Sequence, residues 1–210
     1  MSARLPLTLA CGDYEIVRAL KDGTVKPDGI ELTVLTDMDS NTRHHRFLQG
    51  REFDVAEVSL ANYTQLKAAG DTRFVGIPVA LSRMFRHSCI YVSAKSGIKT
   101  PKDLIGKKIG VPEYQMTAPV WIRGILAEHY GVPIDSVTYW TGGEEEPGRP
   151  EKQSLDLPAR IKVQPIPDDK TLSQMLKDGE IDALHTARAP STFDNKHVLR
   201  LFPDFRKVEL

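Results

Sequence analysis

The sequence predicts an α/β protein with largely parallel sheets covered by helices, and three observations carry that expectation. Apolar runs short enough to be buried strands alternate with longer segments of helical period. Clusters of Gly, Pro and Asp separate them at short intervals. The alternation then starts again in a second block, so βαβ units account for most of the chain. Sheets of this kind bind ligands beyond the carboxyl ends of their strands, so the residues that follow each strand are the first to inspect.

Taken in order, residues 5–11 form an apolar run that ends in Gly12-Asp13-Tyr14, as a buried strand ends in a functional loop. Asp22-Gly23 and Pro27-Asp28-Gly29 are turns, and residues 30–35 alternate as a second strand. A helix is expected over 41–49 with a stop at Gly50, a third strand over 53–58, and a helix over 60–69 closed by Gly70. Residues 74–80 and 88–93 read as fourth and fifth strands. The second block opens on Thr100-Pro101-Lys102-Asp103, which has a capping residue, Pro at the first helical position and an acid in the first turn. A strand over 107–111 follows, then the strongest helix, 115–130, with Val120, Trp121, Ile125 and Leu126 at apolar positions and Gly131 as its stop. Strands are expected over 137–140, 161–164 and 181–184, with a helix over 171–177. Residues 141–157 are rich in Gly, Glu and Pro and read as a mobile surface loop, with Glu144-Glu145-Glu146 solvated.

Composition bounds the function. The chain has 210 residues, enough for one large domain or two small lobes without disulfides or metal to hold the core. Its 28 Lys and Arg balance its 28 Asp and Glu, so no overall charge draws it to nucleic acid or to an anionic membrane. Cys11 and Cys89 are too few for a disulfide framework, and no apolar run approaches the roughly 18 residues of a membrane-spanning helix. The apolar core after Arg4 is shorter than the roughly 7–15 residues of a secretory signal, so a first buried strand and a cytoplasmic location are expected. There is no Walker loop, GxGxxG, GxSxG, HExxH, CxxC or EF-hand loop, which removes the motif arguments for nucleotide binding, serine hydrolysis and a motif-built metal site. His44-His45 are adjacent and diverge by about 100° on a helix, so they do not share an ion unaided.

The run Thr100-Pro101-Lys102-Asp103-Leu104-Ile105-Gly106-Lys107-Lys108-Ile109-Gly110-Val111-Pro112 resembles the opening of the second lobe in type II periplasmic-binding-protein folds. In those folds it leads into a helix whose N-terminus holds an anionic group. Asp178-Gly179-Glu180-Ile181-Asp182-Ala183 resembles the point of return to the first lobe. The resemblance implies two lobes, each a mainly parallel sheet flanked by helices, with a ligand cleft between them. Residues 1–92 would be the N-terminal part of the first lobe, 93–184 the second lobe, and 185–210 the return segment. Members of this fold usually run longer, with a tail that completes the first lobe, so an incomplete first lobe is expected. Transport receptors and enzymes share the fold, so it does not by itself select a function.

Three further stretches are more particular: Leu7-Thr8-Leu9-Ala10-Cys11-Gly12-Asp13-Tyr14, Arg51-Glu52-Phe53-Asp54-Val55-Ala56-Glu57-Val58-Ser59-Leu60 and Phe85-Arg86-His87-Ser88. They resemble the 4,5-dihydroxyphthalate decarboxylase family. That resemblance implies a cytoplasmic carboxy-lyase of phthalate degradation, built on the binding-protein fold, that converts 4,5-dihydroxyphthalate to protocatechuate.

Such chemistry needs an anchor for the retained carboxylate, a phenol to push electrons into the ring, and an acid to protonate the carbon that loses carbon dioxide. Each carboxyl of the diacid lies para to a hydroxyl, so no cofactor is required, although a divalent ion held by dispersed His and Glu stays open. Arginine suits the anchor because its planar fork matches a carboxylate with two parallel bonds. Arg83 and Arg86 flank the expected crossover and Arg188 follows the return strand, while each taken alone reads equally as a surface ion-pair partner. Thr117 stands at the start of the long helix, where backbone N–H groups favour an anion, and Glu113 and Tyr114 precede it as contacts for phenolic hydroxyls. His87, His185 and Glu57 are the candidates for proton transfer, with Asp13 and Ser59 at strand ends as substrate contacts. The partner expected is a small aromatic dicarboxylate, without nucleic acid or membrane, and a homo-oligomer is compatible. The rival reading is a non-catalytic solute-binding protein for a small aromatic or anionic ligand; a sensing module of a larger regulator ranks last.

Overall fold

The computed structural model describes residues 3–149 and 156–210, and the chain falls into two units, Met1–Arg83 and Met84–Leu210. In the first unit, β1 (Leu5–Ala10) lies between β2 (Ile30–Leu35) and β3 (Val55–Ala56), and both pairings are parallel. Parallel neighbours need a crossover, and β1 reaches β2 through the short helix α1 (Arg18–Lys21). Helix α2 (Ser40–His45) begins because the Asp39 carboxylate accepts from the N–H groups of Asn41 and Thr42. It continues as a wider turn, Arg46–Gly50, and helix α3 (Leu60–Ala68) follows β3. Ala10, Phe47, Leu48 and Phe53 form a small core, with Phe74 stacked on Phe47 at 4.7 Å between ring centres.

This unit departs from expectation: α1 is additional, the third strand is only Val55–Ala56 instead of 53–58, and the expected fourth strand is missing. Residues 74–80 form no strand, and Val75, Ile77 and Val79 are 88%, 62% and 61% exposed. The period-two alternation is present, but Pro78 has no N–H for a ladder and the Gly76 N–H donates to the Tyr63 hydroxyl.

The second unit holds a six-stranded sheet in the order β7-β6-β5-β8-β4-β9. Its strands are β4 (Ile90–Ser93), β5 (Lys108–Val111), β6 (Thr138–Thr141), β7 (Lys162–Pro165), β8 (Ala183–His185) and β9 (Val198–Arg200). The pairings among β5, β6, β7 and β8 are parallel, while β4 runs antiparallel to both β8 and β9. Helix α4 (Thr117–Tyr130) covers one face, where Ile122 and Leu126 meet Ile109, Val111, Tyr139 and Ala183. Helix α5 (Leu172–Asp178) covers the other, where Leu172, Met175 and Leu176 meet Leu184 and Tyr91. A last helix, α6 (Phe205–Glu209), was not legible in the sequence pattern, and neither was β9.

The expected starts and stops are physical features of this unit. The Asp103 carboxylate accepts from the Thr100 N–H at 2.7 Å, which opens the turn at Pro101–Leu104 and holds that carboxyl below its ordinary range. Gly131 and Gly179 end α4 and α5 at φ 64° and 79°. Among the described residues, no helix is long and apolar enough to cross a membrane.

Gly110 marks how closely α5 approaches the sheet. A Cβ there would lie 2.6 Å from Ile181 Cδ1 and 3.0 Å from Leu172 Cδ2. Gly110→Ala is therefore expected to destabilise the second unit by about 1–3 kcal/mol, the ordinary penalty of overpacking a filled core. Guanidinium unfolding followed by tryptophan fluorescence checks this, and an unchanged midpoint would contradict it.

Candidate functional site

Strands β5, β6 and β8 end side by side, and the polar residues after them gather on one rim of the second unit. After β5 come Glu113, Tyr114 and Gln115, leading to Thr117 at the start of α4. Glu113 is 2% exposed, and Arg149 holds its Oε1 through Nε at 3.0 Å and through Nη2. Gln115 is also buried, and neither its amide oxygen nor its amide nitrogen has a hydrogen-bond partner among the described residues.

After β6 come Gly142, Gly143 and Glu144. Glycine is required twice, because a Cβ would lie 2.4 Å from Ile166 Cγ1 at Gly142 and 1.6 Å from the Glu146 carbonyl oxygen at Gly143. The loop is tied to α5, since the N–H groups of Leu172 and Ser173 donate to the carbonyls of Gly143 and Glu144. Glu144 is half-buried, with Oε2 accepting from the Thr186 hydroxyl at 2.5 Å and Oε1 buried without a partner among the described residues. Burial raises its carboxyl above the ordinary range, against the Thr186 hydrogen bond, with the Glu145 charge adding to the rise. The expectation of a solvated acidic loop is thus corrected for Glu144, while Glu145 and Glu146 are exposed as expected, Glu145 accepting from Ser173 Oγ, Ser191 N–H and Ser191 Oγ. Residues 150–155 of that expected loop lie outside the described residues.

After β8 comes Thr186, then Arg188, which is exposed and whose positive charge reaches Glu144. His185 ends β8 itself and is 1% exposed, with neither ring nitrogen hydrogen-bonded among the described residues. It lines a cavity of about 10 Å³ with Arg123, Tyr139 and apolar side chains of the α4 face. Arg123 lies over the Tyr114 ring at 3.7 Å from its centre, with Tyr139 at 5.5 Å. Burial, with the Arg123 charge, pushes the His185 imidazole down to about 3.

The remaining candidates are placed elsewhere. His87 is 7% exposed; its Nδ1 donates to Glu209 at 2.5 Å and its Nε2 meets the Tyr130 hydroxyl at 2.8 Å. Phe202 and Tyr130 pack edge-on against its ring. Both ring nitrogens are therefore committed to holding α6 and α4 together, which leaves neither for proton exchange with a substrate. Glu57 sits beyond β3 and accepts from Gly12 N–H, Tyr14 Oη and Arg43 Nη2, at 3.0, 2.8 and 2.7 Å. Three donors saturate it as a clasp between β1 and α2. Asp13 is exposed and paired with Lys21 at 2.8 Å, and Ser59 caps α3 by accepting from Asn62 N–H. Arg83 is exposed at the end of the first unit, and Arg86 begins the second half-buried, with Nη1 lacking a hydrogen-bond partner among the described residues.

Of the expected residues, the structure therefore gathers Glu113, Tyr114, Thr117, His185 and Arg188 around the second unit's strand ends. Sequence reading missed Arg149, Glu144 and Arg123. The Gly142-Gly143 pair directly after a strand was the available signal for the first two, since adjacent glycines there permit a tight turn on the ligand-binding rim. Among the described residues, no group of three or more His, Cys, Asp or Glu side chains is placed to hold a metal ion.

No family model matches the chain. It is 44% identical over 208 residues to a 4,5-dihydroxyphthalate decarboxylase of Comamonas testosteroni, covering 98% of this chain and 63% of that protein. It is 43% identical over 194 residues to a 4,5-dihydroxyphthalate decarboxylase of Pseudomonas putida, covering 92% of this chain and 75% of that protein. Among solved structures it resembles the periplasmic aliphatic sulphonate binding protein SsuA from Escherichia coli, with a TM-score of 0.53 at 14% identity over 87% of this chain and 51% of that one. The last likeness, with the parallel-rich sheets, shows an α/β fold of the type II periplasmic-binding-protein kind.

The His185 environment has a consequence for acid stability. Its folded value of about 3 lies below the ordinary 6.5, so the unfolded chain binds a proton that the folded one refuses. The site's contribution is present in full above pH 6.5 and is lost as pH falls toward 3, by up to about 1.4 kcal/mol per pH unit. His185→Leu should flatten this limb in chemical unfolding between pH 7 and about 4. An acid limb as steep as the parent's would contradict a neutral, buried imidazole.

Proposed function

The chain belongs to the 4,5-dihydroxyphthalate decarboxylase family, and from that premise we propose that it removes one carboxyl group of 4,5-dihydroxyphthalate, giving carbon dioxide and protocatechuate. The identity over most of this chain to decarboxylases of two organisms is the observation that carries the reading. The chain spans 63% of the length of the first of them.

The rim of the second unit supplies groups suited to a phenolic dianion. Arg188 is exposed after β8, where its fork can take a carboxylate in two parallel bonds. The start of α4 offers its N-terminal dipole and the Thr117 hydroxyl to a second anionic group. Glu113 enters through Arg149, which it orients, rather than by meeting a hydroxyl itself. Tyr114, buried and stacked under Arg123, forms an aromatic floor behind the rim, and burial raises its phenol above the ordinary value. Arg86, at the start of the second unit, is retained as a further carboxylate anchor.

Incubation with 4,5-dihydroxyphthalate should yield protocatechuate and carbon dioxide in equal amounts, read by liquid chromatography and gas release. Recovery of tightly bound but unchanged diacid would instead favour a solute-binding role. Arg188→Ala is expected to raise KM by about 10–100-fold, the worth of one charge-assisted contact, with a smaller effect on kcat. A KM within twofold of the parent would remove Arg188 from the anchor.

A further inference from the structure

We propose that Glu144 is the acid that protonates the ring carbon from which the carboxyl group leaves. This rests on the decarboxylase reading and assigns a catalytic residue within the same rim.

The sheet order carries the argument. β5 lies between β6 and β8, so a side chain that starts after β6 and bonds a residue after β8 must span the end of β5. Glu144 does this: it follows β6 and accepts from the hydroxyl of Thr186, which follows β8. It therefore lies over the point where the chain leaves β5 for α4, in the middle of the rim. Its backbone is fixed by the bonds from Leu172 and Ser173 to the Gly143 and Glu144 carbonyls, so the carboxyl is held rather than left to swing in solvent.

The two carboxyl oxygens have different surroundings. Oε2 is held by Thr186, while Oε1 is buried and lacks a hydrogen-bond partner among the described residues. An ionised carboxylate with a buried, unbonded oxygen is costly, whereas a neutral carboxyl can keep its proton on that oxygen. The titratable and charged groups that face Glu144 are Glu145 and Arg149 on its own loop, Arg188 after β8 and the Tyr91 phenol of β4. The rise in its carboxyl, driven by burial, agrees with a carboxyl that stays protonated further up the pH scale than an exposed one.

The step balances without a co-reactant. The phenol para to the departing carboxyl loses its proton to solvent, and its electrons make the ipso carbon basic. Glu144 gives its proton to that carbon, forming the new C–H bond. The aryl–carboxylate bond then breaks, carbon dioxide leaves, and the bonding pair restores the aromatic ring. Solvent returns a proton to Glu144. His87, Glu57 and His185 do not compete for this role, because the first two are committed to their partners and the third lines the cavity beneath α4.

The test measures kcat, the Kd for 4,5-dihydroxyphthalate and the pH profile of the parent, Glu144→Gln, Glu144→Asp and Thr186→Val. General acid catalysis of this kind contributes about 10²–10⁴-fold, so Glu144→Gln should lose at least about 100-fold in kcat while binding the diacid within about threefold of the parent. Glu144→Asp should recover part of the rate. The parent's kcat should fall as pH rises through the carboxyl's titration, and Thr186→Val should move that limb to higher pH, because Thr186 favours the ionised form. A Glu144→Gln protein with kcat within a few fold of the parent, or an unmoved limb in Thr186→Val, overturns the assignment while leaving the decarboxylase reading intact. A parent that makes no protocatechuate overturns both.

Discussion

Burying the Glu113 carboxylate is the constraint on which the functional rim depends. A carboxylate at 2% exposure loses its hydration, a penalty of several kcal/mol per ion that only a close opposite charge offsets. Arg149 provides it, reaching Glu113 from the far end of the loop that follows β6. The loop between Gly142 and Arg149 must therefore lie against the start of α4 instead of extending into solvent. Glu144 and Glu145 sit inside that loop, the first half-buried and the second exposed but hydrogen-bonded to Ser173 and Ser191. Arg149 adds this tie to those that the loop already has through Leu172, Ser173, Thr186 and Ser191.

The first unit solves a similar problem on a smaller scale. Glu57 follows a strand of two residues, too short to fix its own direction by a ladder. Arg43, with its side chain 3% exposed, reaches it from α2, and Gly12 and Tyr14 approach from the end of β1. The carboxylate joins three segments that also meet in the small core around Ala10 and Phe47, so hydrogen bonds add direction to apolar packing. Burial and the Glu57 hydrogen bond together raise the Tyr14 phenol, consistent with a hydroxyl that acts as a donor.

What could be read from the sequence divides along the same line. Strands β1, β2, β5 and β6, helix α4 and the caps at Thr100 and Gly131 follow from local pattern, because period, turn residues and capping residues lie within a few positions of one another. The expected strand at 74–80 shows the limit: alternation at Val75, Ile77 and Val79 describes a strand only if a neighbour supplies hydrogen bonds. β9 and α6 are short and take their order from long-range partners, Tyr91 through Arg200 and His87 through Glu209. The candidate site divides likewise. Glu113, Tyr114, Thr117 and Arg188 were legible because they immediately follow predicted strands or begin a predicted helix. Arg149 was not, since its partner lies 36 positions away. His87 and Glu57 were read as reactive groups because their residue types suit proton transfer, but residue type does not reveal how many partners already hold a side chain.

Glu144 and Glu145 show how two adjacent carboxyls can acquire opposite characters. Burial pushes both upward. For Glu145 the hydrogen bonds from Ser191 and Ser173 outweigh burial, and its carboxyl falls below the ordinary range. For Glu144 the one bond from Thr186 does not, and the negative charge of Glu145 beside it adds to the rise. The anion thus adds to the rise of its neighbour, a difference that environment alone creates between chemically identical groups. Arg149 and Arg188 act in the opposite direction on Glu144. If Arg188 anchors a carboxylate as proposed, filling it would remove part of that positive potential and raise the Glu144 carboxyl further. On the proposed assignment, substrate binding and the readiness of the acid would be linked through one arginine, with no movement of the backbone required.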